Sequence, residues 1–251
     1  MIGCELDISN YDTDQLGTFT GEIPRPLKPY ETCILKAKTA AYVSGHSFSV
    51  ASEGSFGPHP SNPFIPSGHE VMVFVDLENG WVISDHLVTE KTNYRTLFVS
   101  RETNLDAFLA SALFPTHALT LQTEDRSQVI AKGIQSHEQL TSLMHTGFKK
   151  NDQLFLSTDM RAMMNPTRME SIGELAVKLA TRITRICPDC HVPGFGFKSV
   201  SGSLPCGECG QSTKLYQFEN WGCIQCDYLE ENPRKDRLEE AEPMYCDYCN
   251  P

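Results

Sequence analysis

Cys187-Pro188-Asp189-Cys190, Cys206-Gly207-Glu208-Cys209, Cys223-Ile224-Gln225-Cys226 and Cys246-Asp247-Tyr248-Cys249 stand in a row in the last quarter of the chain. They use eight of its ten cysteines. A two-residue gap lets both sulfurs of one tight turn point at the same ion, and two such turns complete a tetrahedral thiolate site. The first two pairs are separated by 15 residues and the last two by 19, both within the spacing usual for a four-cysteine zinc site. Each pair is followed by a small, turn-forming or polar residue, in order His191, Gly210, Asp227 and Asn250. Eight thiols therefore predict two zinc sites. A disulfide framework is the competing reading, and the shared spacing speaks against it. Four-sulfur sites keep no open position for water or substrate, so they hold structure and do not catalyse. Residues 187–251 lie near the lower size limit for a self-supporting core. Metal binding, worth on the order of 10 kcal/mol per site, supplies what their few apolar side chains do not. Spacing does not decide which pairs share an ion. Sequential pairing, 187/190 with 206/209 and 223/226 with 246/249, is the favoured arrangement; interleaved pairing gives a cross-braced module.

Working outward, the 186 residues ahead of Cys187 are enough for a core of their own. The expected organisation is thus an α/β domain over 1–186 and a double zinc-binding, zinc-ribbon-like module over 187–251. No run of 18 apolar residues exists, so no membrane span is expected. The start, MIGCELDISN, has neither a basic cluster nor an apolar run and does not read as a secretory signal. With reduced cysteines this points to a cytoplasmic protein. The formal net charge is −11, and residues 187–251 hold five basic and eleven acidic side chains. Eight metal-bound thiolates would make that segment more negative still. Phosphate-backbone binding needs clustered Lys and Arg, so the module is not expected to bind nucleic acid.

Residues 10–29, rich in Gly, Pro, Thr and Asp, read as a long loop of the kind that often carries function. A helix follows from about Tyr30 to Ser44, with Ile34, Leu35, Ala37, Ala41 and Tyr42 at helical spacing and Gly45 as its C-terminal cap. Lys36 and Lys38 fall on its more polar side. A short buried strand around Phe48 and Val50 is expected to stop at Glu53, where a Gly- and Pro-rich loop with His59 and His69 begins. A carboxylate at the end of a strand sits where open α/β sheets place ligands. EVMVFVDL (70–77) and WVISDHLV (81–88) flank an Asn79-Gly80 turn and form a hairpin. Helices are expected over 103–114 and from Ser136, and strands over 117–123, 128–134 and 153–158. The last helix, with Thr167 as its cap and the stripe Ile172, Leu175, Ala176, Leu179, Ile183 and Ile186, runs straight into Cys187. Asp159, Arg161 and Arg168 cluster at its start. That is either a fair anion site or a local ion pair.

GTFTGEIPR (17–25), ASEGSFGPHP (51–60), TDMRAMMNPTRM (158–169) and the closing CDYCNP (246–251) together resemble an uncharacterised bacterial domain family that ends in the same four knuckles. The resemblance covers nearly the whole chain and brings no activity with it. A more distant one concerns the first domain. Helix, small-residue strand, Glu-Gly, hairpin, and Thr-Arg opening a late helix are similar to the inosine/xanthosine triphosphatases. That resemblance implies a mixed sheet with flanking helices and a Mg²⁺-dependent hydrolase acting on a nucleotide or another phosphorylated small molecule. Glu53 would hold the metal or act as base, Lys36 would face phosphate, and Arg161, Thr167 and Arg168 would lie by the ligand. Those enzymes open with a strand and a phosphate-binding loop, whereas this chain opens at MIGCELDIS, in the region just after them. A missing first strand would imply weak catalysis or none.

Two readings stand. An enzyme requires a cleft lined by the 17–25 loop, the 53–60 loop and the 159–168 segment. A non-enzymatic adaptor instead uses the zinc module as a platform for a protein partner and exposes an apolar patch around Phe195, Phe197, Trp221 and Tyr228; those aromatics otherwise form a small core between the two metal sites.

Overall fold

The computed structural model describes residues 3–59 and 62–251. Pro60, which closes the 51–60 motif, lies outside them. The chain divides into two compact units, residues 4–179 and residues 180–251 with Gly3. The class is α/β with flanking helices, and the strands are shared among three sheets whose ladders are antiparallel. Among the described residues no helix is long and apolar enough to cross a membrane.

The first unit begins with α1 (Pro29–Ser44), β1 (Phe48–His59), β2 (Asn62–Asp76) and β3 (Trp81–Thr89). Pro29 occupies the first turn of α1, and Glu31 reaches back to the amide of Lys28 at 3.2 Å. Gly45 closes the helix at φ +71°, a conformation that favours glycine. Cys33 and Ala37 of α1 pack on Val73 and Val75, with Ala51 and Val71 beside them. Strand alternation then sorts the carboxylates. Glu53 stands opposite Val71, next to Ala51–Val73, and so shares the face that α1 covers; Gly54 and Glu70 pair on the other face.

β1 does not end at Glu53. It continues to His59, because β2 begins eight residues ahead of Glu70 and offers a partner to each residue in between. The prolines that made this stretch look like a loop are placed where they cost little. Pro58 lies on an edge strand, and Pro66 lies beyond Gly68, the last β2 residue that β3 covers.

The second sheet has the order β4 (Thr96–Val99), β7 (Leu154–Thr158), β5 (Leu119–Thr123), β6 (Val129–Ile134). Val99, Leu119, Leu121, Ile134, Leu154 and Leu156 point to one side and build the core with Phe108 of α2 (Asp106–Ser111) and Leu140 of α3 (His137–Gly147). Thr96, Thr120, Gln122, Phe155 and Ser157 alternate with them and face the other way. α2 is shorter than the 103–114 expected. Thr103 and Asn104 turn their side-chain oxygens to the amides of Ser100 and Asp106, and Leu113 sits at φ +60°. Ser136 caps α3 at the amide of Gln139. In α4 (Pro166–Thr184) the cap is Asn165, not Thr167: its Oδ1 accepts the amide of Arg168 at 3.0 Å, while Pro166 takes the first helical position. Leu175 and Leu179 are buried, whereas Ala176 faces out.

Residues 180–251 fold around a three-stranded meander of β8 (Gly196–Ser201), β9 (Phe218–Gly222) and β10 (Leu229–Pro233), with β9 in the middle.

Candidate functional site

The meander sets the grouping of the thiols. Four knuckles occupy its four connections: before β8, between β8 and β9, between β9 and β10, and after β10. In an antiparallel meander alternate connections lie at the same end, so the first knuckle meets the third and the second meets the fourth. The ladder confirms it, since Gly196, Gly222 and Leu229 align at one end and Ser201, Phe218 and Pro233 at the other. Cys187, Cys190, Cys223 and Cys226 form one group and Cys206, Cys209, Cys246 and Cys249 the other, each with its sulfurs within 4.8 Å of one another. Sequential pairing is thereby overturned in favour of the interleaved one. The bridge between Cys206 and Ala241 brings the last knuckle back alongside the second.

The sulfur spacing fits a metal and not a disulfide. Sγ–Sγ distances are 3.7 Å (187–226), 3.5 Å (190–223), 3.9 Å (206–249) and 3.6 Å (209–246). A tetrahedron with metal–sulfur bonds near 2.3 Å has edges of about 3.8 Å; a disulfide would bring two sulfurs to roughly 2.05 Å. In each group backbone amides favour one thiolate, while burial and neighbouring thiols raise Cys190 and Cys226 in the first group and Cys209 and Cys249 in the second. The amides of Cys209 and Glu208 lower the Cys206 thiol to about 7. At Cys223 burial pushes the thiol up, but the amides of Cys226 and Gln225 prevail and leave it at about 6. Phe195, with Val192, Trp221 and Tyr228 beside it, packs around Cys187 and Cys223. These aromatics form the wall of the first group, where a core between the two sites was expected. Phe197 is half-buried in β8 opposite Trp221.

The first unit holds a cavity of about 760 Å³. Its lining draws on Gly17–Gly21 and Arg25, on Lys36, Glu53 and Phe56, and on Asp159–Met163 with Arg168, together with the polar face of the second sheet. Three sequence-distant stretches thus meet in one place. Glu53 is buried, and its two oxygens pair with Arg25 at 3.2 Å and with the Lys36 ammonium. Arg25 also donates to the carbonyl of Gly54 and lies 4.1 Å over the Phe19 ring. Asp159, itself buried, receives Nε and Nη2 of Arg161 at 3.0 and 2.6 Å and the amide of Gly133 at 3.0 Å. Hydrogen bonding to Asp159 raises the Arg161 guanidinium above its ordinary value. Lys132 pairs with Glu22, whose carboxyl is lowered by that bond.

Arg168 is buried and forms a two-pronged pair with Glu70, Nε–Oε1 2.7 Å and Nη2–Oε2 3.1 Å. Its Nη1 donates to the carbonyl of Met160, and its guanidinium lies 4.8 Å from the Phe19 ring centroid and 5.5 Å from that of Phe56. Gly54 leaves room for the pair: a Cβ there would stand 2.5 Å from Arg168 Nη2 and Glu70 Oε1.

Of the residues singled out in the sequence, Glu53, Lys36, Arg161 and Arg168 come together at this cavity. Thr167 does not line it. Its hydroxyl and amide meet His117 Nε2 at 2.9 and 3.2 Å, which makes His117 a second cap of α4. Asp159 forms the local ion pair, with Arg161, that was one of its two readings, while sequence reading missed Glu70, Arg25 and Gln122. None of the three had a legible signal beyond its place in an alternating strand or a polar loop.

The model of a family described as "Domain of unknown function (DUF6671)" matches residues 36–251. That span takes in EGSFGPHP, MNPTRM and all four knuckles, while the 17–25 stretch precedes it. No curated protein and no solved structure matches the chain.

Proposed function

We infer that this chain, which belongs to the family of domains of unknown function DUF6671, is a zinc-stapled protein whose first unit binds a nucleotide or a related phosphorylated small molecule. The observation that carries this reading is the meeting of cations and aromatic rings in one cavity. Arg25, Lys36, Arg126, Lys132, Arg161 and Arg168 line it together with Phe19, Phe56, Tyr94 and Phe155. Guanidinium and ammonium groups suit phosphate, and flat rings suit a base. Zinc is the metal that best suits two closed sets of four thiolates.

Most of these cations are already paired with a carboxylate, so the cavity is close to neutral. A phosphate accompanied by Mg²⁺ matches both signs: oxygens of the ligand turn to the cations, and the metal turns to a carboxylate. Mg²⁺ bound in this way needs only one or two protein carboxylates beside the phosphates and water. Glu53 is the candidate for that role, either holding the metal or taking a proton from water. Lys36 and Arg161 stand beside the phosphate. Arg168 and Glu70 shape the floor on which the ligand rests.

The test is a calorimetric titration of the full-length, zinc-loaded protein with nucleoside triphosphates and inorganic tripolyphosphate, with and without Mg²⁺, followed by an assay for released pyrophosphate. Glu53→Gln keeps the shape of the side chain and removes its charge. It is expected to abolish turnover while the thermal melt stays cooperative, and equal turnover in both proteins would remove Glu53 from the chemistry. A wild type that binds no member of the panel ends the phosphate reading. The alternative, an adaptor that docks a protein partner, draws on Met244, Tyr245 and Tyr248, which are exposed beside Cys246.

A further inference from the structure

The turn between β5 and β6 is built more firmly than a surface connection requires. Thr123 closes it from both sides: its N–H donates to Gln128 O at 3.0 Å, and its carbonyl accepts from Arg126 N at 2.9 Å. Asp125 folds back onto its own turn and accepts from Thr123 Oγ1, Ser127 N and Ser127 Oγ at 2.6, 3.1 and 2.9 Å. Gln122 is buried, and its Nε2 donates to the carbonyl of Arg126 at 3.3 Å and to that of Thr20 at 3.0 Å. The result is an arginine at φ +61°. For a residue with a side chain this conformation costs on the order of 1–2 kcal/mol. Glycine or asparagine would make the same turn at less cost, so the turn alone does not account for arginine.

The guanidinium accounts for it. Arg126 lines the cavity and lies 5.3 Å over the Phe155 ring. The other cations there each have a carboxylate: Arg25 and Lys36 share Glu53, Lys132 has Glu22, Arg161 has Asp159, and Arg168 has Glu70. Arg126 has no ion-pair partner among the described residues. It can therefore take an anion without first releasing a carboxylate.

We propose that Arg126 is the residue that captures the phosphate chain of the ligand, held ready by a strained turn. This rests on the phosphate reading of the cavity given above. The Thr120 and Ser157 hydroxyls, 2.7 Å apart on the adjoining sheet face, and Lys132 stand among the same lining residues. Capture by a guanidinium predicts a preference for the forked geometry of phosphate oxygens that lysine does not reproduce.

The experiment is a titration of inorganic tripolyphosphate into the full-length, zinc-loaded wild type, Arg126→Gly and Arg126→Lys, with a thermal melt of each. Arg126→Gly is expected to bind tenfold to a hundredfold more weakly, roughly what loss of a charge-assisted hydrogen bond produces, and to melt higher because glycine accepts the turn. Arg126→Lys is expected to fall between. Arg126→Gly that binds as tightly as wild type overturns the assignment while leaving the phosphate reading in place. A wild type that does not bind tripolyphosphate overturns the phosphate reading, and the assignment falls with it.

Discussion

Arg168 spends its guanidinium donors on Glu70 and the Met160 carbonyl inside the protein, and Gly54 is the residue that lets it do so. Removing one partner of such a pair leaves a buried charge without compensation. Glu70→Ala is accordingly expected to cost about 3–5 kcal/mol, read as a shift in the urea midpoint. Gly54→Ala adds only a methyl group, yet it places that group against both members of the pair, and a loss of about 1–3 kcal/mol is expected. Gly57→Ala is the control in the same strand: nothing lies within 4 Å of its added Cβ, and its midpoint should hardly move. His117 adds one pH-dependent contribution to stability. Burial lowers its pKa below 6.5, and its Nε2 accepts the Thr167 amide, which requires the neutral ring. A depressed folded value means that its contribution to stability is complete above pH 6.5 and is lost as the pH falls through the folded value. The His117 ring signals should titrate with a midpoint under 6.5, and a midpoint above it would remove His117 as an acceptor cap.

At the scale of the element, the meander decides which thiols meet. Cys190→Ser with Cys226→Ser damages one group and leaves the other; Cys190→Ser with Cys209→Ser damages both. Elemental analysis should find about one zinc per chain in the first double variant and close to none in the second, whereas sequential grouping would reverse the two results. The four knuckles were plain in the sequence because a thiol pair at fixed spacing has few other uses. Their grouping was not, although three strands between four knuckles dictate it. β8 (GFKSVS) and β10 (LEENP) carry too few apolar residues to announce themselves as strands. β1 was obscured differently. Its glycines and Pro58 read as loop, and only the long partner strand keeps them extended, so Glu53 lies in mid-strand and not at a strand end.

At the scale of the whole molecule, the second sheet gives apolar alternate residues to its own helices and turns Thr96, Thr120, Gln122 and Ser157 to the cavity, whereas the first sheet sends Glu53 there from the face that α1 covers. That division was legible for HALTLQT and QLFLST, whose alternation survives in β5 and β7. The ion pairs that finish the cavity were not, because they join residues such as Glu70 and Arg168 that nothing in a linear reading connects. The two thiol groups make a global prediction too. A strong chelator should remove about two zinc ions per chain and abolish amide-exchange protection across β8–β10, and added zinc should restore it; protection that survives metal removal would show the thiols to be incidental.

Cross-bracing also has a consequence for how the protein is made. Cys187, Cys190, Cys206 and Cys209 leave the ribosome before Cys223 does, and these four belong to two different thiol groups. Together they can satisfy a single ion in the wrong combination. A nascent chain whose first four thiols took one ion would have to exchange ligands later, so the grouping favours metal that arrives after all eight thiols have emerged.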